Sequence, residues 1–479
     1  MIRPDSYLLL ATVLAPLFGV SAVKAGQLPA SIRPKPNIVL IVADQWRAQA
    51  LGCTGDPNVH TPKLDRFQQE GISFTRAVSS VPVCSPTRAS LLTGERALTH
   101  GVFVNDVQLA LSATTIAEAL RGAGYDTAYV GKWHIDGHGR SNFIPRERRR
   151  GFDYWKALEC THDYNNSAYF ADGPEKLHWS GYDAVAQTRD VQKYLRTRKM
   201  GETPFLLVLA WGPPHDPYGQ APKEFQALYA DKKLELRPNV PAYAEERTRR
   251  ELVGYYAHCT ALDTCFGELR ETLRQTGLED NTIVVFTSDH GDLLGSHAGR
   301  NKQQPYDESI RIPFLMRWPA GLGTAPSILS APITSEDVMP TLLALAGVPI
   351  PKTVEGLDFS GYIRGGMDPS GGEALISCVS PFGQWSRAAG GREYRGLRTI
   401  RYTYVRDLKE PWLLFDNERD PYQLDNLVNR PEYAALQAAL DGRLRQKLAG
   451  YGDEFLPGPT YLARWGHEVD ATGTVRFTP

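Results

Sequence analysis

The sequence predicts an α/β protein, with a large, mostly parallel sheet flanked by helices and a smaller C-terminal α+β part built on an antiparallel sheet. Four runs carry the first half of that reading: "NIVLIVAD" from Asn37, "TAYVGKWH" from Thr127, "FLLVLAWG" from Phe205 and "TIVVFTSDHGD" from Thr282. They are near-continuously apolar and β-branched, as strands buried on both faces must be. Helix-length periodic segments lie between them, and such alternation implies parallel pairing. Past Ala374 the texture changes: "REYRGLRTIRYTYVRD" alternates in strand fashion, "LLFDNERDPYQLDNL" is turn-rich, and a helical period begins after Pro431.

In chain order, Arg3 precedes the apolar run "YLLLATVLAPLFGV", which ends in Val23-Lys24-Ala25 before Gly26. Residues 1–25 read as a cleaved export signal, too short and too interrupted by Pro16 for a comfortable membrane span, with an uncleaved anchor as the alternative. The protein is therefore expected to be periplasmic or secreted, with no membrane attachment once the signal is cut. A catalytic domain is expected over 33–370 and a C-terminal subdomain over 371–479, with Gly365 to Gly372 as the boundary.

Within the first of these, "VPVCSPTRASLLTG" puts Cys84 ahead of Ser85-Pro86-Thr87-Arg88 and then runs into what reads as a helix. A proline just inside a helix start has its φ preset and gives up an N–H that has no partner there anyway, so Cys84 sits at the helix mouth. The dipole at that end favours an electron-rich group, which leaves two readings: a thiol activated by the helix end and Arg88, or an inert buried cysteine. Further on, "TTIAEALRGAG" is a helix closing on glycines. "LVGYYAHCTALDTCFGELRETLRQTG" is a longer helix with apolar residues at Leu252, Tyr255, Cys259, Leu262, Phe266, Leu269 and Leu273.

A formal net charge of −1 over 479 residues argues against nucleic acid or a membrane surface as partner, so any anion binding must be local. The six cysteines (Cys53, Cys84, Cys160, Cys259, Cys265 and Cys378) show no CxxC and no zinc-type spacing, which excludes a dense disulfide framework. Oligomeric state is not fixed by anything in the sequence.

Chemistry-bearing residues follow each of the four strands: Asp44-Gln45, Lys132 with His134, His215, and Asp289-His290. Parallel strands bring these ends to one edge of the sheet, where open α/β folds bind ligands. Asp44, Gln45, Asp289 and His290 offer two carboxylates, an amide oxygen and an imidazole, an oxygen-rich set suited to Ca²⁺ or Mg²⁺, with Mn²⁺ left open by the nitrogen. Either pair alone is better read as loop caps; both together point to a metal. Arg88, Lys132, His134, His215 and Lys302 would make a cationic, titratable pocket for a small anion, although each singly is an ordinary surface charge or hydrogen-bonded histidine.

These residues carry a resemblance. "CSPTRASLLTG" matches the C-x-P-x-R signature of type I, formylglycine-dependent sulfatases of the alkaline phosphatase-like superfamily. "GKWH" matches their second signature, and "SDHGD" with the following "GSH" and "NKQ" resembles their metal and lysine region. "PNIVLIVADQWRAQALGC" and "LFDNERDPYQLDNL" are similar to the family's two ends. The resemblance implies the fold of that superfamily and an exported sulfuric ester hydrolase.

It further implies that a separate formylglycine-generating enzyme reads Cys84, Pro86 and Arg88 and converts Cys84 to Cα-formylglycine, whose hydrate is the nucleophile and a metal ligand beside Asp44, Gln45, Asp289 and His290. Lys132 and Lys302 would hold sulfate oxygens, His215 would protonate the leaving alcohol, and His134 would be the base that releases sulfate. Many relatives have two consecutive Asp residues where this chain has Asp44-Gln45, so one negative charge is missing. A similar Asp-Gln pair occurs in phosphonate monoester hydrolases and phosphodiesterases, which are the first alternative; a non-catalytic, metal-stabilised glycan-binding protein is the second. By analogy a sulfated saccharide is the expected substrate, a sulfated small molecule being the wider class. Asn105, Asp106, His178, Trp179, Trp385 and Arg387 are its candidate contacts, taken from polar and aromatic loop stretches that could equally be plain surface.

Overall fold

The computed structural model describes residues 34–476, so the export signal expected over 1–25 lies outside the described residues. Fourteen strands follow in chain order among them: β1 Asn37–Asp44, β2 Ile72–Phe74, β3 Asp126–Lys132, β4 Tyr154–Leu158, β5 Ala168–Tyr169, β6 Leu177–His178 and β7 Phe205–Pro214. After these come β8 Thr282–Ser288, β9 Phe314–Arg317, β10 Ser327–Leu329, β11 Glu373–Cys378, β12 Tyr394–Thr399, β13 Tyr402–Asp407 and β14 Pro411–Asp416.

Eight of them form one sheet in the order β10-β2-β9-β8-β1-β7-β3-β4. The four runs read from the sequence are its centre, and β8, β1, β7, β3 and β4 are all mutually parallel. Strand β9 runs antiparallel to both β8 and β2, which makes the sheet mixed. The alternation along β1 shows why these strands are apolar throughout. Ile38, Leu40 and Val42 belong to one apolar layer, and Val39, Ile41 and Ala43 to the other. The first layer packs against the helix Cys84–Thr93 and the helix Val338–Leu345, the second against the helices Asp183–Arg196 and Glu245–Gln275. Each large apolar side chain so buried contributes roughly 1.5–3 kcal/mol, which outweighs the weak intrinsic preference of either element type.

The C-terminal part is an antiparallel sheet, β11-β12-β13-β14, with the helix Ala434–Gly450 on one face. Leu440, Leu444 and Leu448, four residues apart on one side of that helix, meet Leu397, Tyr404 and Leu414. The opposite face, with Ile376, Tyr394, Val405, Leu413 and Phe415, packs on Val78 and Ile310 of the large unit. Polar bonds seal the same junction. Arg398 grips Asp307 through two bonds of 2.8 and 2.9 Å, and Gln303 exchanges two hydrogen bonds with the Phe382 backbone.

Candidate active site

The C-terminal ends of β1, β3, β7 and β8 deliver Asp44, Lys132, His215 and Asp289-His290 to one edge of the large sheet. Two local features aim them. The β1–β7 register slips between Val42 and Asp44, which turns the last residue of β1 out of the regular pleat. Gly131, at φ 107°, brings β3 so close to β7 that a Cβ there would lie 2.1 Å from the Ala210 carbonyl oxygen, so only glycine can precede Lys132.

The helix Cys84–Thr93 points its N-terminus at this edge. It is buried along its whole length and stops at Gly94, which takes the left-handed conformation and returns its N–H to the Ser90 carbonyl. Cys84 is the first helical residue, and Arg88, one turn on, shares its face. Arg88 Nε donates to Asp289 Oδ2 at 3.0 Å, Nη2 to Asp44 Oδ2 at 3.2 Å, and Nη1 to the Lys132 carbonyl at 2.8 Å. One guanidinium thus ties three strand ends together.

Around the thiol the polar groups converge. Lys302 Nζ is 3.0 Å from Cys84 Sγ, 3.0 Å from His215 Nε2 and 3.3 Å from Gln45 Oε1. His290 Nε2 is 3.2 Å from the sulfur, and Lys132 Nζ donates to Asp44 Oδ2 at 2.6 Å. Ligand atoms of Asp44, Cys84, Asp289 and His290 all lie within 4.8 Å of one another. His290 Nδ1 faces the Gly291 carbonyl at 2.9 Å, so it carries the proton and leaves the Nε2 lone pair turned to the cluster. Two carboxylates and an imidazole held in that tautomer are a donor set that fits a divalent cation.

Electrostatics follow from this crowding. Burial alone would raise the Asp44 carboxyl and the Cys84 thiol, but Lys132 and its cationic neighbours prevail and hold both well below their ordinary ranges. Burial likewise opposes charge on Lys132, which Asp44 overcomes, so its pKa is raised. His134 is pushed up to about 9: burial works against its charged form, and Cys160, Asp106 and Cys84 outweigh it. The ring takes a left-handed backbone (φ 65°), bonds Asp106 Oδ1 through Nε2 at 3.1 Å and leaves Nδ1 buried on the Cys84 side, without a hydrogen-bond partner among the described residues.

All ten metal and catalytic candidates therefore meet at one place, whereas the six expected substrate contacts scatter. Asn105 accepts the Ser85 N–H at 3.0 Å, in the first turn of the helix Cys84–Thr93. Asp106 bonds Arg140 and His134 through its two oxygens, which places it as a support behind His134. Trp385 is buried in the apolar layer beneath the small sheet, stacked towards Trp412. Arg387 pairs with Glu393. Trp179 stacks on Tyr169 with ring centroids 4.0 Å apart and lines a small crevice that also reaches Lys132, while His178 stands exposed on β6.

Sequence reasoning passed over four neighbours. Asp292 accepts from the Gln45 amide, and Asp216 pairs with His215. His162 stacks on His215 at 4.7 Å with rings 7° from parallel, and Cys160 lies next to it just after β4. Asp292 follows Asp289 within "SDHGD" and Asp216 follows His215 after β7, so both were open to notice; Cys160 and His162 follow β4, a strand too short to read as one.

Comparison with known proteins agrees with this geometry. The family model described as Sulfatase matches residues 36–348, and one described as N-sulphoglucosamine sulphohydrolase, C-terminal, matches 295–449. The chain is 45% identical over 473 residues to an ulvan-active sulfatase of Formosa agariphila, covering 97% of this chain and 90% of that one. It is 32% identical to an endo-4-O-sulfatase of Bacteroides thetaiotaomicron, covering 86% and 91%. A structure solved in connection with the metabolism of multiple glycosaminoglycans by Bacteroides thetaiotaomicron superposes with a TM-score of 0.80 at 28% identity, over 90% of this chain and 99% of that one.

Proposed function

The chain belongs to the sulfatase family, and from that premise we propose that it removes sulfate from a glycan outside the cytoplasm, using formylglycine formed at Cys84 and a divalent cation. Sulfuric ester hydrolysis comes with the family. The glycan is supported by the relatives that act on ulvan or carry out endo-4-O-desulfation, and export by the leader at 1–25. Among the described residues no helix is long and apolar enough to cross a membrane. The observation that carries the mechanism is the Cys84 side chain, set between Lys302 Nζ and His290 Nε2 with two carboxylates beside it.

Asp44, Asp289 and His290, with the Gln45 amide oxygen, would hold Ca²⁺, or Mg²⁺ or Mn²⁺ in its place; the ion would polarise the sulfate and acidify the nucleophile. Formylglycine hydrate would supply one hydroxyl for attack and a second to expel sulfate, which a serine could not do without a separate water. Lys132 and Lys302 bind sulfate oxygens as charge builds on them. His215 Nε2 delivers a proton to the departing alcohol, its ring held by the Nδ1 contact to the Asp216 carbonyl at 2.8 Å and by the His162 stack. His134 would be the base that takes up the proton when sulfate is released, once formylglycine has replaced the thiol at position 84 that helps hold its charge, and Asp106 would steady the resulting imidazolium. Because Cys84, Pro86 and Arg88 are buried in the fold, a maturation enzyme must reach them before the helix packs.

Mass spectrometry of the tryptic peptide containing Cys84, from protein purified from its native host, tests the nucleophile. Formylglycine supports the reading, whereas unmodified cysteine in fully matured protein overturns it. Rates on matched aryl sulfate and aryl phosphate diesters test the ester, and a clear preference for phosphorus would replace sulfate.

A further inference from the structure

An amide offered as a cation ligand must be told which end to present. Its oxygen can bind a cation or accept from an ammonium, and its NH₂ can do neither. At Gln45 every other freedom is already removed. The backbone is held left-handed at φ 66°, its N–H donates to Asp289 Oδ1 at 3.0 Å, and its carbonyl accepts from Tyr255 at 3.0 Å. Only the flip of the side chain remains open.

The surroundings settle that flip. On one side stand acceptors: Asp292 Oδ2 takes a bond from Gln45 Nε2 at 2.8 Å, and Asp216 Oδ1 lies at 3.4 Å. On the other, Oε1 faces the Lys302 ammonium at 3.3 Å. The reverse flip would set oxygen against carboxylate and NH₂ against ammonium. Asp292 is itself immobile, since it is fully buried, its Oδ2 also accepts from Tyr218 at 2.5 Å, and its Oδ1 accepts the Leu294 N–H at 3.1 Å.

We infer that Asp292 is a positioning residue that locks the Gln45 amide with its oxygen towards Lys302 and the cation cluster, so that the carboxylate absent from position 45 stands one layer further out. The inference rests on the metal reading given above. It explains how a neutral ligand can occupy this place, and it makes positions 45 and 292 a coupled pair.

Calorimetric titration of the EDTA-stripped full-length chain with Ca²⁺ tests this without recourse to turnover. Asp292→Asn, whose own amide lets Gln45 rotate, should weaken Ca²⁺ binding by about tenfold or more. Gln45→Asp should not tighten binding despite its added charge, because the new carboxylate faces Asp292 and Asp216. In that background Asp292→Asn should reverse sign and strengthen binding, a result that a merely structural role for Asp292 would not give. Equal affinity of wild type and Asp292→Asn, the same sign in both backgrounds, or tighter binding by Gln45→Asp alone would each overturn the inference. The last arm stands even if Asp292→Asn does not fold. A wild-type chain that binds no Ca²⁺ would sink the metal reading itself, and this inference with it.

Discussion

Two buried ionic clusters of this protein are built on opposite plans. Beneath the small sheet, Arg398 and Asp307 form a two-bond fork, Asp307 also accepts from Arg311 Nη1 at 3.4 Å, and the Asp307 N–H donates to Gln423 at 2.8 Å. Asp307 is bonded through both oxygens, although Arg311 Nε beside it is buried without a hydrogen-bond partner among the described residues. At the edge of the large sheet, Lys302 instead leans on a thiol, a histidine and an amide, with Lys132 and Arg88 close by, and His134 keeps a buried nitrogen without a partner among the described residues. The first arrangement holds two layers together; in the second Arg88 and Lys132 are paired with Asp44 and Asp289, while Lys302 meets a thiol, a histidine and an amide but no carboxylate among the described residues. The lesson is that neither burial of charge nor a single unpartnered polar atom marks a site; a buried ammonium held only by a thiol, an imidazole and an amide points to one.

Substitutions can break or sharpen that contrast. The largest effect is expected from Cys84→Ala, which should abolish turnover while leaving the far-UV circular dichroism unchanged; retained activity would refute the nucleophile. Next, His215→Ala should cost about 10²–10⁴-fold on sugar sulfates, and clearly less on aryl sulfates whose alcohols need no proton to leave. Equal losses on both would remove the general-acid role.

The contrast itself is tested by Arg398→Met against Lys302→Met in thermal or urea unfolding. The first strands Asp307 and should cost about 3–5 kcal/mol, while the second relieves crowded cations and should change stability little while harming turnover. Comparable destabilisation by both would mean that the site cluster is as well paired as the structural one. A smaller effect, about tenfold in kcat with little change in KM, is expected from Asp106→Asn, together with a shifted pH profile because His134 loses its partner.

The smallest effect is one of pH. In the chain carrying unmodified Cys84, His134 has its pKa pushed up to about 9, above the ordinary value of 6.5, so the folded state binds this proton more tightly than the unfolded state does. Its contribution to stability is full below about pH 6.5 and is lost as the pH rises through about 9. Melting temperatures should therefore fall more steeply over that interval in the wild type than in Asp106→Asn, and parallel curves would remove Asp106 as the support.

Much of this was legible in the sequence. The four central strands declared themselves because both their faces are buried, and so did the helix that begins at Cys84, with Arg88 one turn along. The short strands β2, β4, β9 and β10, between three and five residues long, carry too few side chains for a period to show. With β4 unread, Cys160 and His162 had no strand end to belong to. Asp106 and Trp385 looked like loop residues because their partners, Arg140 with His134 and the small sheet with Trp412, are distant in sequence or come from another element.

By itself, then, the sequence determined which side chains gather at the sheet edge, since periodicity sets strand direction and parallel strands must end together. Only the tertiary structure decided which of those side chains support the others. Asp292 behind Gln45, Asp106 behind His134, and Gln303, whose grip on Phe382 fixes the loop carrying Lys302, all act through contacts of a few ångströms. Such contacts depend on how the elements pack, and no local pattern of residues encodes them.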